Sequence, residues 1–249
     1  MNLKSVFLLV SISFLGLTKC FAQNDGNALL ININYGLHTP QGDLQERFGN
    51  NLTAALSVEY MLGKGNYFFG LNQSVLFGSN VNEDVLSGLR NESGIIFNNN
   101  FTASNIELRE RGLLMTGYVG KLFGLFEDNR RSGIRLQLGA GLLQHKIRIQ
   151  DDPNAFVTEL TDDRKKGYDR LTNGLALHQF IGYQHLAKNR LANFYAGFEF
   201  VEAFTQNRRE INVDTGMKDD TERLDILAGF KIGWTLPLYI GESADTIYY

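Results

Sequence analysis

Apolar and polar residues alternate one for one along most of this chain. From Leu29, the odd positions read Leu29, Ile31, Ile33, Tyr35 and Leu37, and the even ones Leu30, Asn32, Asn34, Gly36 and His38. A period of two places successive side chains on opposite faces of an extended strand, so this stretch predicts a strand with one apolar face. The pattern returns at Leu52, Ala54, Leu56, Val58 and Tyr60, and again at Tyr67, Phe69, Leu71, Val75 and Phe77. It is weaker over residues 113–126, where Leu114, Tyr118 and Leu122 are read as the apolar face against Gly117 and Lys121. It sharpens at Ile134, Leu136, Leu138, Ala140 and Leu142, then at Leu175, Leu177, Ile181 and Tyr183, then at Phe194, Ala196, Phe198 and Phe200. The last run is the longest, from Leu224 through Ile226, Ala228, Phe230, Ile232, Trp234 and Leu236 to Leu238. Eight strands are predicted, most of them long enough to cross a bilayer at a tilt.

The connections alternate in length. Short ones follow the second, fourth and sixth strands, through Gly63, Lys64, Gly65 and Asn66, then residues 127–132 and 188–192. Long ones follow the odd strands, over residues 39–50, 80–111, 150–170 and 206–223. One end of a closed sheet then carries tight turns and the other carries loops, and an even strand number puts both termini at the turn end. The expected fold is all-β, an eight-stranded antiparallel up-and-down transmembrane β-barrel spanning residues 23–240.

A water-soluble barrel with a ligand-filled interior, of the lipocalin kind, has the same strand count. The glycines separate the two readings. Gly70, Gly139, Gly141, Gly174, Gly197, Gly229 and Gly233 share the polar face. Their small size suits a narrow lumen crowded with bulky polar neighbours, whereas on a solvent face they would only weaken the strands. The apolar faces are therefore expected outside, against lipid.

The N-terminus sets the compartment. Lys4 precedes an apolar run over residues 6–17, then Cys20, Phe21 and Ala22 offer small residues at the two positions a signal peptidase reads. Residues 1–22 are read as a secretory signal cut after Ala22. Lipidation of Cys20 is the alternative, and Lys19 before the cysteine argues against it. With the signal gone no thiol remains, which excludes a disulfide, a cysteine nucleophile and a thiolate metal site. The composition fits a membrane protein that hides its hydrophobicity in alternation: 26 Gly, 3 Pro, 12% aromatic residues and a mean hydropathy of −0.18. A net charge of −3 and a pI near 5.8 leave no basic footprint for nucleic acid.

The last strand resembles the signal read by the barrel-assembly machinery of bacterial outer membranes, a polar residue, a glycine two places on, then alternating apolar residues. Lys231, Gly233, Leu236 and Leu238 carry that resemblance, although the chain continues past Tyr239 and Ile240 into a tail at residues 241–249. The whole pattern resembles small barrels of the OmpA-membrane-domain and OmpX type, and the PorT-like outer-membrane barrels common in Bacteroidetes. The resemblance implies a bacterial outer-membrane location, lipid and the assembly machinery as partners, a short periplasmic tail, and a place in an envelope, secretion or gliding assembly. Within the tail, Asp245, Thr246 and Ile247 look like the O-glycosylation pattern of that phylum.

Candidate chemistry is sparse. The inward faces offer Glu59, Glu199 and Asp225 against Lys121, Arg135 and Lys231, which are expected to pair as a structural plug, because an eight-stranded barrel is only wide enough to be filled with side chains. His178 is placed inward at mid-strand. His38 and His145 are placed near the loop rim, where Ser79 or Ser104 would have to join them in an enzyme acting on lipid A or phospholipid; nothing in the spacing demands it. The acidic loops have no EF-hand spacing, so no metal site or cofactor is assigned. Ile95, Ile96, Phe97 and Phe101 in the longest loop form a candidate docking patch. The expected role is a non-enzymatic structural or interaction protein, with a protein partner reached through the loops or the tail.

Overall fold

A computed structural model describes residues 26–127, 129–151, 157–187 and 192–240. The predicted secretory signal with Cys20, and the tail with Asp245, Thr246 and Ile247, lie outside the described residues.

Eight strands form the barrel: β1 (Asn27–Gly42), β2 (Asn51–Met61), β3 (Tyr67–Gly78), β4 (Glu107–Phe126), β5 (Asn129–Gln150), β6 (Thr172–Leu186), β7 (Asn193–Asn207) and β8 (Glu222–Ile240). Each pairs antiparallel with its sequence neighbour, and β1 closes the ring on β8. Closure leaves no strand edge unpaired. The pairing path from Asn32 runs through Ser57, Asn72, Thr116, Gly141, Ala176, Ala203 and Asp225, and returns to β1 at Gly42. That return ten residues further along β1 is the shear of the barrel, and with eight strands it tilts them by about 40° from the axis.

The register puts the alternating apolar positions outside. Leu71 is 73% exposed and Phe198 68%, and Ile33, Leu37, Leu138 and Ile232 are exposed beside them. A lipocalin-like interior would need these side chains within, so the soluble-barrel alternative is overturned. Gln73, Gln179 and Glu202 are polar interruptions of this belt.

Strand β4 departs from expectation. Leu114, Tyr118 and Leu122 are buried in the lumen, while Met115, Val119 and Phe123 are exposed outside. Both parities are apolar there, so alternation alone cannot choose the face. Tertiary need decides it: Tyr118 and Leu122 complete an apolar floor with Leu30, Met61, Phe68 and Leu186 at the turn end. The flip carries Lys121 outward as well. It lies partly exposed, with its ammonium 4.5 Å from the Tyr67 ring centre and 3.1 Å from that hydroxyl.

Several strands outrun their predicted ends. β1 continues to Gly42, β4 begins at Glu107, and β5 takes in most of the expected turn before Ser132. The turn between β2 and β3 follows its sequence closely. Gly65 and Asn66 both adopt positive φ, 79° and 52°, which glycine and asparagine tolerate best.

Candidate functional site

The lumen is layered. Above the apolar floor lies a polar tier in which the predicted charges meet. Arg135 grips Glu59 through both guanidinium arms, at 3.0 and 2.5 Å. Tyr118 donates to the same carboxylate at 3.0 Å, and Arg135 also reaches Gln184 and Gln137. The guanidinium stacks 4.0 Å from the Phe68 ring centre and 4.9 Å from that of Tyr195. Glu199 is the second hub. His38 Nε2 lies 2.8 Å from one carboxylate oxygen, His178 Nε2 lies 2.5 Å from the other, and Lys231 bonds to it as well. Asp225 stands apart from both, bonded to His145 at 2.8 Å and accepting a hydrogen bond from the Thr205 hydroxyl. The structure thus joins Glu59 to Arg135 and Glu199 to Lys231, and leaves Lys121 outside.

His38, His145 and His178 are lumenal partners of carboxylates, whereas the sequence reading placed only His178 inward. His38 and His145 are buried with Glu199 and Asp225 rather than set at a rim beside a serine. Ser79 bonds Asn80, and Ser104 sits opposite Ile96 in a small hairpin. Charges in such a place require partners, because an unpaired ion out of water costs several kcal/mol or more.

Gly233, placed in the assembly signal, has a packing role here. A Cβ there would lie 2.6 Å from the Tyr195 ring, whose hydroxyl bonds Asn34. Leu236 and Leu238 of the same signal are exposed on the outer wall.

The loop end is closed by a cap. Leu44, Phe48, Val85, Leu86, Ile96, Val157, Leu160 and Tyr168 from the loops are buried in one cluster with Leu76, Leu114 and Leu143 of the upper lumen. Ion pairs tie the loops together, and none of them was legible as a pair in the sequence. Glu83 accepts from Arg47 and from Arg170, each at 2.7 Å. Arg170 then clasps Asp214 with two bonds, at 2.8 and 2.5 Å. Arg209 does the same to Asp169, at 2.8 and 2.7 Å. All four long connections contribute to this lattice.

From this cap one hairpin stands out. Ile96 pairs with Ser104 and Phe97 with Ala103. Ile96 is 3% exposed and belongs to the cap core, which removes it from the predicted docking patch, because alternation turns it to the opposite face from Phe97. Ile95, Phe97 and Phe101 remain exposed, Phe101 at 88%. The tip is held rigid. Asn98 Oδ1 accepts the backbone N–H groups of Asn100 and Thr102, and Asn98 Nδ2 donates to the Thr102 hydroxyl at 2.7 Å. Phe101 takes a φ of 60°, an unfavourable conformation for a bulky residue. The Phe101 ring is thus exposed at the end of a hydrogen-bonded turn.

The cap has a pH dependence. Burial pushes the Glu83 carboxyl up, but Arg47 and Arg170 outweigh it and hold the group below its ordinary value. Asp214 is lowered likewise, burial being overcome by Arg170. At Asp219 burial is outweighed by hydrogen bonds from Thr221 and Arg223, and the value falls to about 2. Depressed folded values mean that the unfolded cap takes up protons first. The stability from these groups is complete above about pH 5 and is lost as the pH falls toward about 2. Hydrogen exchange across that window will show residues 79–106 and 208–221 losing protection while the strands keep theirs. Unchanged loop protection at pH 2.5 would refute the linkage.

No family model matches the chain. No curated protein matches it either. Among solved structures, Neisserial surface protein A (NspA) is similar at 11% identity, covering 84% of this chain and 97% of its own, with a TM-score of 0.42. Ail, the attachment invasion locus protein of Yersinia pestis, solved with the heparin analogue sucrose octasulfate, is similar at 12% identity over 84% of this chain and 99% of its own, with a TM-score of 0.37. The N-terminal β-barrel domain of Pseudomonas aeruginosa OprF is similar at 12% identity over 84% of this chain and 98% of its own, with a TM-score of 0.34.

Proposed function

We propose that this chain is an integral protein of a bacterial outer membrane, in which the barrel is a closed anchor and the loop cap is the working surface that meets a protein partner. The observation that carries this reading is the belt of exposed Leu, Ile, Val and Phe around a closed ring whose polar interior pairs Glu59 with Arg135 and Glu199 with Lys231. Such an area of apolar surface is far beyond what a soluble monomer exposes, and it suits hydrocarbon. Tyr67, Tyr183 and Trp234 lie toward the turn end, where aromatic rings gather at a membrane boundary.

A filled lumen points away from transport. Burial of the His145–Asp225 pair, with side chains 1% and 2% exposed, supports a structural over a catalytic reading of it. What is left open to other molecules is the cap, with Phe101 its most exposed large hydrophobic side chain among the described residues. Membership of a larger envelope or secretion assembly is the finer form of this reading, with insertion by the barrel-assembly machinery and a tail available to a periplasmic partner.

Membrane fractionation tests it. The precursor, expressed with its signal in a Gram-negative host, is expected in the outer membrane, and the detergent extract should migrate differently on a gel before and after boiling. A photo-crosslinking residue at Phe101 should then give a discrete adduct on cells of the source type. A periplasmic protein with no mobility change would end the membrane reading. A barrel without any adduct would end the partner reading alone.

A further inference from the structure

The outer face of the β4–β5 pair carries a cluster that the functions above do not use. Arg109 stands directly opposite Arg148, and Arg111 directly opposite Lys146, all four side chains on the outside of the wall. Facing like charges destabilise a strand pair, so an arrangement of this kind calls for an anion between them. The protein's own carboxylates answer it poorly. Glu107 takes Arg109 at 2.5 Å. Asp169 lies 3.9 Å from Lys146 and is already clasped by Arg209. Arg111 donates to the Glu110 carbonyl at 2.6 Å. Among the described residues, no carboxylate pairs with Arg111 or Arg148.

Position identifies the anion. Directly below these cations, on the same outer face, β4 continues into Leu113 and Met115 and β5 through Gln144 into Leu142. Phe77 of β3 faces Arg111 from the other side. The cluster therefore sits at the upper edge of the apolar belt, with cations above and hydrocarbon-compatible side chains below. Guanidinium groups match phosphate oxygens in shape and charge.

We propose that this basic ladder binds the phosphate headgroup of an anionic lipid of the outer leaflet, of the phosphorylated glycolipid class, whose acyl chains lie along Leu113, Met115 and Leu142. The inference rests on the membrane location proposed above. Its failure is separable from that of the location, because the unboiled gel shift reads the barrel without reading the lipid.

The test uses the full-length protein in detergent micelles, with native mass spectrometry as the readout and three probes: diphosphoryl lipid A, its dephosphorylated form, and inorganic phosphate. Wild type should carry one diphosphoryl lipid A per chain. The double variant Arg111→Gln/Arg148→Gln should lose affinity by about tenfold or more, since two charge-assisted contacts go. Lys218→Gln, a loop cation paired with Asp220, should change nothing. Dephosphorylated lipid A should bind as weakly to wild type as the intact lipid binds to the double variant. Equal affinity in the double variant, or equal retention of the dephosphorylated lipid, would overturn the proposal. Displacement by inorganic phosphate at matched concentration would also overturn it, assigning the cluster to a free ion. An unboiled gel shift in the double variant confirms that the comparison is between folded barrels; if the shift is lost, Gln144→Glu, which sets a negative charge below the cluster, must weaken lipid A binding instead, and its failure to do so overturns the proposal.

Discussion

Replacing Arg135 with methionine will lower the stability of the folded barrel by about 3–5 kcal/mol, the cost of leaving a buried carboxylate without its partner. Glu59 is held by both arms of this guanidinium and by the Tyr118 hydroxyl, and its side chain is closed off from solvent. Methionine fills much of the arginine volume and keeps contact with Phe68 and Tyr195, so the loss is chiefly electrostatic. The double variant Glu59→Gln/Arg135→Met isolates that part. Glutamine still accepts from Tyr118 but carries no charge, so the double variant should regain at least half of what Arg135→Met loses. The measurement is the urea midpoint of the unboiled gel band in detergent micelles, taken through a full mutant cycle. If the two single losses simply add, the pair is not coupled and Arg135 acts through its stacking on Phe68 and Tyr195 alone.

At Glu199 the buried charge is shared among His38, His178 and Lys231. Strand alternation placed Glu199 and Lys231 on the lumenal face, and the period of two fixes that face once a single apolar side chain is known to point outward. Alternation says nothing about height. Whether an inward Glu59 meets Arg135 or Lys231 depends on the shear, and the shear is set by closure of the whole ring rather than by any local run. The same ignorance of height put His38 and His145 at a rim, when the tilt carries them into the lumen beside Glu199 and Asp225. At β4 even the face was hidden, because Leu113, Leu114, Met115, Tyr118, Val119 and Leu122 are apolar on both parities, and Lys121 went to the wrong side with them. The cap was least legible. Its pairs, Arg47 with Glu83 and Arg170 with Asp214, join residues far apart in sequence through loops that have no periodicity. Their composition is dense in both signs of charge, but composition alone names no pair. Ile96 was placed on the docking patch because a loop residue has no face until the small hairpin is known.

The glycines of the lumenal face were read as space for neighbours, and Gly141 takes that reading further than expected. A Cβ on Gly141 would lie 1.8 Å from the Met115 carbonyl oxygen and 2.7 Å from the Thr116 Cα. Both are backbone atoms of the adjoining strand, which cannot rotate aside as a side chain would. Gly141→Leu must therefore push β4 away from β5 at the middle of the longest strand pair in the barrel, breaking ladder hydrogen bonds where no water or lipid headgroup can replace them. Overpacking of this kind costs about 1–3 kcal/mol in ordinary cores and more where backbone has to move. The expected result is loss of the heat-modifiable form, both after refolding in detergent and in cells. Gly117→Leu is the matched control. It lies on the same strand pair, opposite Ala140, but faces outward, and its nearest neighbour would be Leu71 Cδ2 at 3.6 Å. That variant should insert and shift on the gel like wild type. Equal tolerance of both substitutions would mean that the two strands separate more easily than a sheared eight-stranded ring allows. Equal loss would mean that glycine is needed on this strand pair for its backbone freedom. Only loss at Gly141 with retention at Gly117 identifies the close approach of β4 and β5, imposed by closing so tightly tilted a barrel, as the reason a glycine stands there.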